Sequence, residues 1–313
     1  MQQLSFRAMG CQMLAVVDMP GQPALERLNA VPGWFAEWEQ HLSRFRPDSE
    51  LARLNGAGRP MRVSAVLWQV LQAAVQAARQ SDGLVRPTLL GALEAAGYDR
   101  SFEALAPGAA RTAPAQADWR AIGLNQRART VALPAGARID LGGIAKGWAA
   151  DQAARRLAAA GPALVDAGGD IAVSGPMADS AAWPIAIENP LAPGNSLGIL
   201  QLARGGVATS GRDYRRWQQE GRWQHHIIDP RTGQPAETDV LAATVVAPDC
   251  VSAEAAAKTA LIVGGASGLA WIEARPNLAG LLVLEDGQVL YSRGMRALIA
   301  PSTATEIGEP QLA

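Results

Sequence analysis

The spacing of apolar residues along the chain predicts both strands and helices. Residues 3–8 and 11–18 are predicted to form two short strands separated at Gly10. Over residues 22–42 the apolar positions recur at steps of three and four, as they do on one face of a helix. The chain is therefore expected to begin with a pair of strands followed by a long helix.

The rest of the chain predicts further elements in mixed order. A helix begins after Ser64, a favourable N-cap, and continues to about Arg79. An alanine-rich helix is predicted over 144–160, and two helices follow one another between Ser252 and Glu273. Strands and helices do not alternate as in βαβ units, so the pattern favours an α+β fold, with mixed or antiparallel sheets packed against helices, over a doubly wound sheet. Strands are predicted at 163–166, 171–174, 183–188, 197–203, 224–229, 241–247, 280–285 and 288–291.

Length and composition are those of a globular protein. The 313 residues are 49% hydrophobic and 18% charged, which is enough apolar material for a large core. One domain is predicted over 1–300, followed by a C-terminal tail over 301–313. Whether the domain divides into two subdomains is left open. The formal net charge of -1 gives no reason to expect nucleic acid or an anionic membrane as a partner.

The chain lacks several sequence signals of membranes and of common cofactor sites. No apolar run reaches the roughly 18 residues of a membrane span, and no secretory signal is present in the given chain. We therefore expect a cytoplasmic protein without membrane insertion, unless an upstream export signal was removed. The phosphate-binding loop, the dinucleotide-binding glycine motif, the H-E-x-x-H motif and the C-x-x-C motif are also absent.

Arginine dominates the basic residues. Lys146 and Lys258 are the only lysines, so 26 of the 28 basic residues are arginine. A lysine in such a chain is a candidate for a role that a guanidinium cannot fill, because an ammonium is a compact point charge with three donors. Chance is the alternative explanation.

The segment Asp140-Leu-Gly-Gly-Ile-Ala-Lys146-Gly joins a predicted strand to the alanine-rich helix. Glycines at such a junction let backbone amides approach an anion, and a helix N-terminus favours negative charge. Lys146 in the first turn opposes the helix dipole but suits a bound phosphate. A tight packing turn with a solvated lysine is the alternative.

Two glycine-containing segments are weaker signals. In Asp166-Ala-Gly-Gly-Asp170, paired glycines after a strand are compatible with a ligand or another backbone nearby, but on their own they favour a plain turn. In Thr209-Ser210-Gly211, small hydroxyl groups can line a polar pocket or simply form a turn.

A histidine pair and a helical ion pair complete the candidate chemistry. Neighbouring histidines on a strand face opposite sides, so only one of His225 and His226 can face a site. An aspartate three residues after His226, Asp229, suits an oriented general base. Glu254 and Lys258 stand four residues apart on a helix among alanines, which favours a partly buried ion pair. An ordinary solvated helix salt bridge is the alternative.

These segments, taken in chain order, resemble the ApbE-type FAD:protein FMN transferases over about residues 5–290. The order and number of the matching segments make the resemblance specific, and it implies the T-fold-like α+β architecture of that family. The matching segments are Ala8–Gly10, Ser43–Asn55, Gly83–Thr88, Gly97–Asp99, Asp140–Gly147, Leu164–Asp170, Thr209–Gly211, His226–Gly233 and Glu254–Gly264.

The resemblance implies an enzyme that binds FAD, cleaves its pyrophosphate and attaches FMN through a phosphoester to a Thr or Ser of a target flavoprotein, releasing AMP. Family targets include subunits of membrane redox pumps and flavin-bearing reductases. Two alternatives stay open: an FAD-binding homologue without transfer activity, acting as a carrier or regulator, and an FAD pyrophosphatase that yields FMN and AMP.

The resemblance also implies roles for individual residues, carried over by position. Thr209, Ser210 and His226 would face the reacting end, with His226 as the base for the incoming hydroxyl and Asp229 as its orienting partner. The FAD site would be lined by Met9, Tyr98, Asp140, Lys146 and Ile228.

A magnesium ion is implied as well, held by the backbone carbonyl at Gly143 and by an Asp and a Thr four residues apart on a late helix. Here Glu254 stands at the Asp position and Lys258 at the Thr position. A glutamate can still bind Mg²⁺, but a protonated lysine has no lone pair to offer, so Lys258 is expected to repel the ion or to take its place. An alternative register that aligns Thr259 with the family's Thr puts Ala255 at the Asp position and breaks the spacing to the glycine after the helix.

Overall fold

The computed structural model describes residues 1–105 and 112–300, which form eighteen strands, eight α-helices and two short 3₁₀ turns, Phe102–Ala104 and Trp119–Ala121. The C-terminal tail predicted over 301–313 lies outside the described residues. So does part of a surface insertion that the sequence predicts over 106–118.

The largest sheet has eight strands, and each hydrogen-bonded pair of neighbours is antiparallel. A two-residue turn at Met9 and Gly10 joins the first two strands. In spatial order the strands are β1 (Gln2–Ala8), β2 (Cys11–Val17), β6 (Ala163–Ala167), β7 (Asp170–Val173), β10 (Gly205–Gly211), β15 (Val240–Ala247), β16 (Ala279–Leu284) and β17 (Val289–Tyr291).

Two three-stranded sheets and two isolated hairpins contain the other strands. One small sheet has the order β18 (Ile299–Ala300), β9 (Ser196–Leu202), β8 (Trp183–Glu188), and the other has the order β3 (Met61–Arg62), β5 (Thr130–Ala132), β4 (Gly123–Asn125). The hairpins are β11 (Arg216–Gln219) with β12 (Arg222–His225), and β13 (Ile228–Asp229) with β14 (Gln234–Pro235).

Several helices begin at side chains that cap them. The Ser64 hydroxyl accepts a hydrogen bond from the backbone N–H of Leu67, and the Asp249 carboxylate accepts one from Ser252, so each satisfies a donor that the first helical turn leaves unpaired. The helices are α1 (Gln22–Leu42), α2 (Glu50–Gly56), α3 (Ala65–Gln80), α4 (Leu90–Ala95), α5 (Ala145–Leu157), α6 (Cys250–Val263), α7 (Gly265–Glu273) and α8 (Arg293–Leu298).

The large sheet has a helical layer on one face and the β8–β9–β18 sheet on the other. Alternate residues of a strand point to opposite faces. Accordingly, Met13 and Ala15 of β2 belong to the core formed with α1, α3 and α5, whereas Val16 belongs to the core formed with β8 and β9. Helices α6 and α7 cover β15 and β16 in the same helical layer. The α+β prediction is confirmed.

The strand predicted over 224–229 is interrupted. Strand β12 ends at His225, the chain bends at His226, and β13 begins at Ile228. The His225 ring causes the break, because its Nδ1 accepts from the Ile227 N–H at 3.3 Å and its Nε2 bonds to the Ala236 carbonyl at 3.1 Å. The prediction that His225 and His226 lie on one strand was therefore wrong.

Among the described residues, no helix combines the length and the apolar character needed to cross a membrane.

Candidate active site

A cleft of about 380 Å³ opens beside the helical layer. It is bordered by the β1–β2 turn, the segment after α1, the turn before α5, the segment after β12 and the middle of α6. The structure thus brings together residues that are far apart in the sequence. The residues singled out from the sequence that line it are Met9, Tyr98, Asp140, Gly143, Lys146, His226, Ile228 and Lys258.

Met9 reaches the cleft from a strained turn. Its φ is 49°, an uncommon value for a residue with a side chain, and Gly10 beside it has a φ of 68°. Two such residues in a row form the tight turn that suits the twist of a two-stranded hairpin. The backbone N–H of Met9 donates to Glu39 of α1 at 2.9 Å, which fixes the turn against the helix.

The turn before α5 is held by Asp140. Its carboxylate accepts the backbone N–H of Gly142 at 2.9 Å and pairs with Arg44 at 2.9 Å. The Arg44 guanidinium in turn lies 4.1 Å from the centre of the Phe45 ring and 4.6 Å from that of Tyr98. Sequence reasoning missed Arg44, although it lies in one of the segments that carried the resemblance.

Tyr98 belongs to an aromatic wall of the cleft. Its ring lies 5.7 Å from that of Phe45 and 5.4 Å from that of Trp217, and the tyrosine is 8% exposed. Burial raises the pKa of the Tyr98 hydroxyl, so it stays neutral. The ring planes of Phe45 and Tyr98 are tilted by 51°, so the wall offers apolar surface against which one face of a planar ligand can pack.

Opposite charges meet where α5 and α6 approach each other. Lys146 is paired with Asp170 of β7, and its Nζ lies 3.8 Å from Oε1 of Glu254. Lys258 donates to the same Oε1 at 3.0 Å, and the Gly147 N–H donates to Oε2 at 3.0 Å. We call Lys146, Asp170, Glu254 and Lys258 the lysine–carboxylate cluster.

Two members of the cluster, Lys146 and Glu254, are held in their charged forms, whereas burial and the charge of Glu254 raise the pKa of Asp170 to about 6. Burial opposes the charged form of Lys146, but the carboxylates of Asp170 and Glu254 outweigh it and raise the pKa of the amine. Burial likewise opposes ionisation of Glu254, but the ammonium groups of Lys258 and Lys146 outweigh it and lower the pKa of the carboxyl group. Lys146 therefore carries a full positive charge at neutral pH.

A second buried carboxylate holds the two lysine-bearing helices together. Asp151 of α5 accepts the backbone N–H groups of Cys250 and Val251, at 3.0 and 3.1 Å, in the first turn of α6. Burial raises the pKa of Asp151 to about 6, with these two hydrogen bonds working in the opposite direction. The position of Lys258 relative to Lys146 is thus set by contacts behind the cleft.

His226 brings a neutral imidazole to the cleft. Its ring hydrogen-bonds to the backbone of Arg215, while Nδ1 is buried and has no hydrogen-bond partner among the described residues. Burial, together with the nearby charges of Arg215 and Lys258, holds the pKa of His226 well below its usual value. The Nδ1 lone pair is therefore free to accept a proton at neutral pH.

Asp229 does not orient His226 in this structure. Its carboxylate accepts hydrogen bonds from the guanidinium and the backbone N–H of Arg231, at 2.7 to 3.1 Å. The guanidinium also donates to the Ile262 carbonyl of α6 at 3.3 Å. The hydrogen bond of the His226 ring is made with the backbone of Arg215 instead. Asp229 therefore stabilises the turn that follows the histidine.

Thr209 and Ser210 lie on opposite faces of β10, because successive strand residues alternate. Ser210 is buried on the face toward α6, and Thr209 points to the other face, where its hydroxyl bonds to that of Thr244 at 2.9 Å. Only Ser210 of the two is on the cleft side of the sheet.

The residues at the implied magnesium position do not suit a metal. Glu254 stands at the position of the family's Asp ligand, and two ammonium groups and a backbone N–H already engage its oxygens. The Asp170 carboxylate beside it is paired with Lys146. Among residues 1–105 and 112–300, no group of three or more His, Cys, Asp or Glu side chains is arranged to hold a metal ion.

An antiparallel α+β fold whose cleft combines two ammonium groups, an aromatic wall and a neutral histidine is suited to an anionic ligand with a planar ring. The chain belongs to the ApbE family, whose model matches residues 9–282. The resemblance inferred from the sequence is thereby confirmed.

Curated relatives carry one name. The chain is 31% identical over 306 residues to the FAD:protein FMN transferase of Treponema pallidum (strain Nichols), which covers 91% of this chain and 84% of the relative. It is 28% identical over 280 residues to the FAD:protein FMN transferase of Klebsiella pneumoniae (strain 342). The aligned region covers 84% of this chain and 84% of the relative.

Solved structures agree with this assignment. The ApbE protein of Thermotoga maritima superimposes with a TM-score of 0.86 at 25% identity, over 96% of this chain and 99% of that one. The flavinyl transferase ApbE of Pseudomonas stutzeri superimposes with a TM-score of 0.79 at 25% identity, over 95% and 96%.

Proposed function

We propose that this chain is an FAD:protein FMN transferase, which binds FAD in the cleft and passes FMN to a Thr or Ser hydroxyl of a target flavoprotein. The names of its relatives support the proposal. The observation that carries it is the buried, unpartnered Nδ1 of His226, a histidine that lines the same cleft as Lys146 and Lys258. A free base beside two fixed positive charges is what transfer between a diphosphate and a hydroxyl requires.

The proposed reaction is a single displacement at phosphorus. The acceptor hydroxyl oxygen attacks the phosphorus of the FMN half of FAD, the bond from that phosphorus to the bridging oxygen breaks, and AMP leaves with the bridging oxygen. The hydroxyl proton passes to Nδ1 of His226. Lys146 and Lys258 stabilise the negative charge on the diphosphate and on the departing AMP.

Other residues position the ligand in this proposal. The rings of Tyr98 and Phe45 stack against a planar ring of FAD, and Met9 and Ile228 contribute apolar surface. Asp140 keeps the turn before α5 in the shape that presents Gly143 and Lys146. Ser210 is the hydroxyl on the cleft side of β10, whereas Thr209 supports the sheet.

The test uses FAD and an acceptor domain of a flavin-bearing reductase, with the same domain carrying Val in place of its acceptor Thr as the control. Intact mass spectrometry should show a gain of one FMN on the Thr domain only, with an equal amount of AMP released. Free FMN and AMP without a mass gain would instead identify an FAD pyrophosphatase. Tight FAD binding with neither product would identify a binding protein and overturn the transferase proposal.

A further inference from the structure

The side chain of Lys258 lies across the turn that the family uses for its metal. A Cβ atom placed on Gly143 would lie 3.3 Å from Cε of Lys258. The ammonium end of the lysine therefore lies next to the glycine whose carbonyl the resemblance gives to Mg²⁺. On α6, Glu254 lies one helical turn before Lys258 and accepts a hydrogen bond from its ammonium group, while the other oxygen of the carboxylate accepts the N–H of Gly147.

A divalent cation at this place would be repelled by an ammonium group and would find few free oxygen ligands. Lys258 donates to Glu254 at 3.0 Å, and a metal bound to the same carboxylate would stand beside an ammonium group of like charge. Mg²⁺ is usually held by one or two free carboxylates together with waters and phosphate oxygens. Here the Glu254 carboxylate is already engaged by Lys258, Lys146 and the Gly147 N–H, and a protonated lysine has no lone pair to offer.

The charges of the cluster are arranged in two layers. Its two lysines and two carboxylates sum to zero, but they are not equally accessible. The Lys146 and Lys258 side chains are 16% and 15% exposed, whereas those of Asp170 and Glu254 are 2% and 0% exposed. The ammonium groups thus face the cleft and the carboxylates lie behind them, so an anion in the cleft meets positive charge first.

From this arrangement we propose that the Lys258 ammonium, anchored on Glu254, replaces the divalent cation of the family and that the cleft binds the diphosphate of FAD without a metal. The inference rests on the proposed function. It also explains why lysine occurs at this position in a chain that otherwise uses arginine, since a compact ammonium fits the place of an ion and a planar guanidinium does not.

The first experiment uses the unaltered protein and therefore does not depend on the folding of a variant. FAD affinity is measured by equilibrium dialysis at constant ionic strength, once with excess EDTA and once with excess Mg²⁺. The expected dissociation constants agree within about twofold, because the positive charge is part of the chain. Binding that is lost in EDTA and restored by Mg²⁺ would overturn the proposal and leave the proposed function intact.

The second experiment changes the charge. Lys258→Met should weaken FAD binding in EDTA by about 10- to 100-fold, the range for a lost hydrogen bond to a charged group, and should leave riboflavin binding unchanged because riboflavin has no diphosphate. Arg127→Met, in the exposed turn between β4 and β5, removes a positive charge that does not line the cleft and serves as the control. Equal loss for FAD and riboflavin would count against the assignment.

The third experiment restores the family's residues. The double variant Glu254→Asp, Lys258→Thr should bind FAD weakly in EDTA and regain affinity with Mg²⁺, because it offers a carboxylate and a hydroxyl in place of the ion pair. A double variant that folds but does not respond to Mg²⁺ would contradict the register on which the proposal rests.

Failure of this proposal can be distinguished from failure of the proposed function. FAD bound equally in EDTA and Mg²⁺ but never transferred would support the lysine assignment and overturn the transferase proposal. FAD bound in neither buffer would overturn both.

Discussion

At the residue scale, the unpartnered nitrogen of His226 decides how the proposed chemistry depends on pH. The pKa of the ring is held well below its usual value, so the ring stays neutral through the weakly acidic range. A free lone pair at neutral pH is an advantage for a base that must accept a proton from a hydroxyl. The same burial would make a permanently charged ring unfavourable there.

We predict that His226→Gln lowers the single-turnover rate of FMN transfer by about 10²- to 10⁴-fold, the usual contribution of a general base. FAD affinity should change little, because the histidine acts on the acceptor proton and not on the diphosphate. The wild-type rate should also stay flat between about pH 8 and pH 6, where an unperturbed histidine would become protonated. A variant with full transfer rate would remove His226 from the mechanism.

His225, one residue earlier, supports stability rather than chemistry. It is 8% exposed, and burial lowers its pKa to about 4. The unfolded chain takes up this proton near pH 6.5 and the folded chain only near pH 4, so the unfolded state binds more protons in between and stability falls as the pH falls. By pH 4 this histidine is expected to cost about 3 kcal/mol of unfolding free energy.

Urea unfolding of the wild type and of His225→Gln, each at pH 7 and at pH 4.5, isolates this contribution. Titrating carboxylates affect both proteins equally, so the difference between their pH dependences belongs to the histidine. The wild type should lose more stability on acidification than the variant. Identical losses would show that the ring is protonated in the folded protein.

At the element scale, the close approach of α6 to the large sheet depends on a glycine. A Cβ atom on Gly206 of β10 would lie 2.2 Å from the backbone N of Cys250, at the start of α6. No side chain can yield there, because the neighbouring atoms are backbone. The position of α6, and with it that of Lys258, therefore requires glycine at this point of the strand.

Gly206→Ala should accordingly lower the unfolding free energy by about 3 kcal/mol, as expected for overpacking that only a backbone shift can relieve. Gly33→Ala is the matched control, since this exposed glycine of α1 has no atoms within 4 Å of its added Cβ. Alanine should stabilise a helix interior by roughly 1 kcal/mol relative to glycine. Opposite shifts in the urea midpoint would bear out both predictions, and a stable Gly206→Ala protein would contradict the packing argument.

Long helices and most strands of the large sheet could be predicted from the sequence, whereas several short elements outside it could not. The spacing of apolar residues gave α1 and α3 within a few residues, because both bury one continuous face. Helix α2 and the β11–β12 hairpin are too short to show a period, and the bend at His226 depends on contacts of a side chain with backbone groups.

In the candidate site, only contacts between residues that are close in the sequence could be predicted. The Glu254–Lys258 ion pair follows from four-residue spacing on a helix, and the structure confirms it. Lys146 of α5 pairs with Asp170 of β7, which lies 24 residues later in the chain, and no sequence pattern indicates this contact. Asp229 was assigned to His226 because they are three residues apart, but Arg231 is nearer and provides a charge partner.

At the scale of the whole molecule, the cleft collects positive charge that the overall composition conceals. The net charge of -1 gives no indication of an anion site. The fold creates one by bringing the N-terminal turn of α5 and the middle of α6 together over a pair of buried carboxylates. Because these two helices contribute the only lysines of the chain, amine chemistry can report on the cleft of the intact protein without any substitution.

Acetylation with a limiting amine reagent, followed by peptide mass spectrometry, tests whether the FAD diphosphate reaches both helices at once. FAD should protect Lys146 and Lys258 together, because a diphosphate held between them pairs with both ammonium groups and opposes the loss of the proton that acetylation requires. The amino group of Met1, a residue that is 66% exposed, is an internal control whose labelling should not change. Riboflavin has the same ring without the diphosphate and should protect neither lysine. If FAD protected only one of them, the diphosphate would lie on a single helix, and the cleft would be binding FAD in a different orientation from the one proposed here.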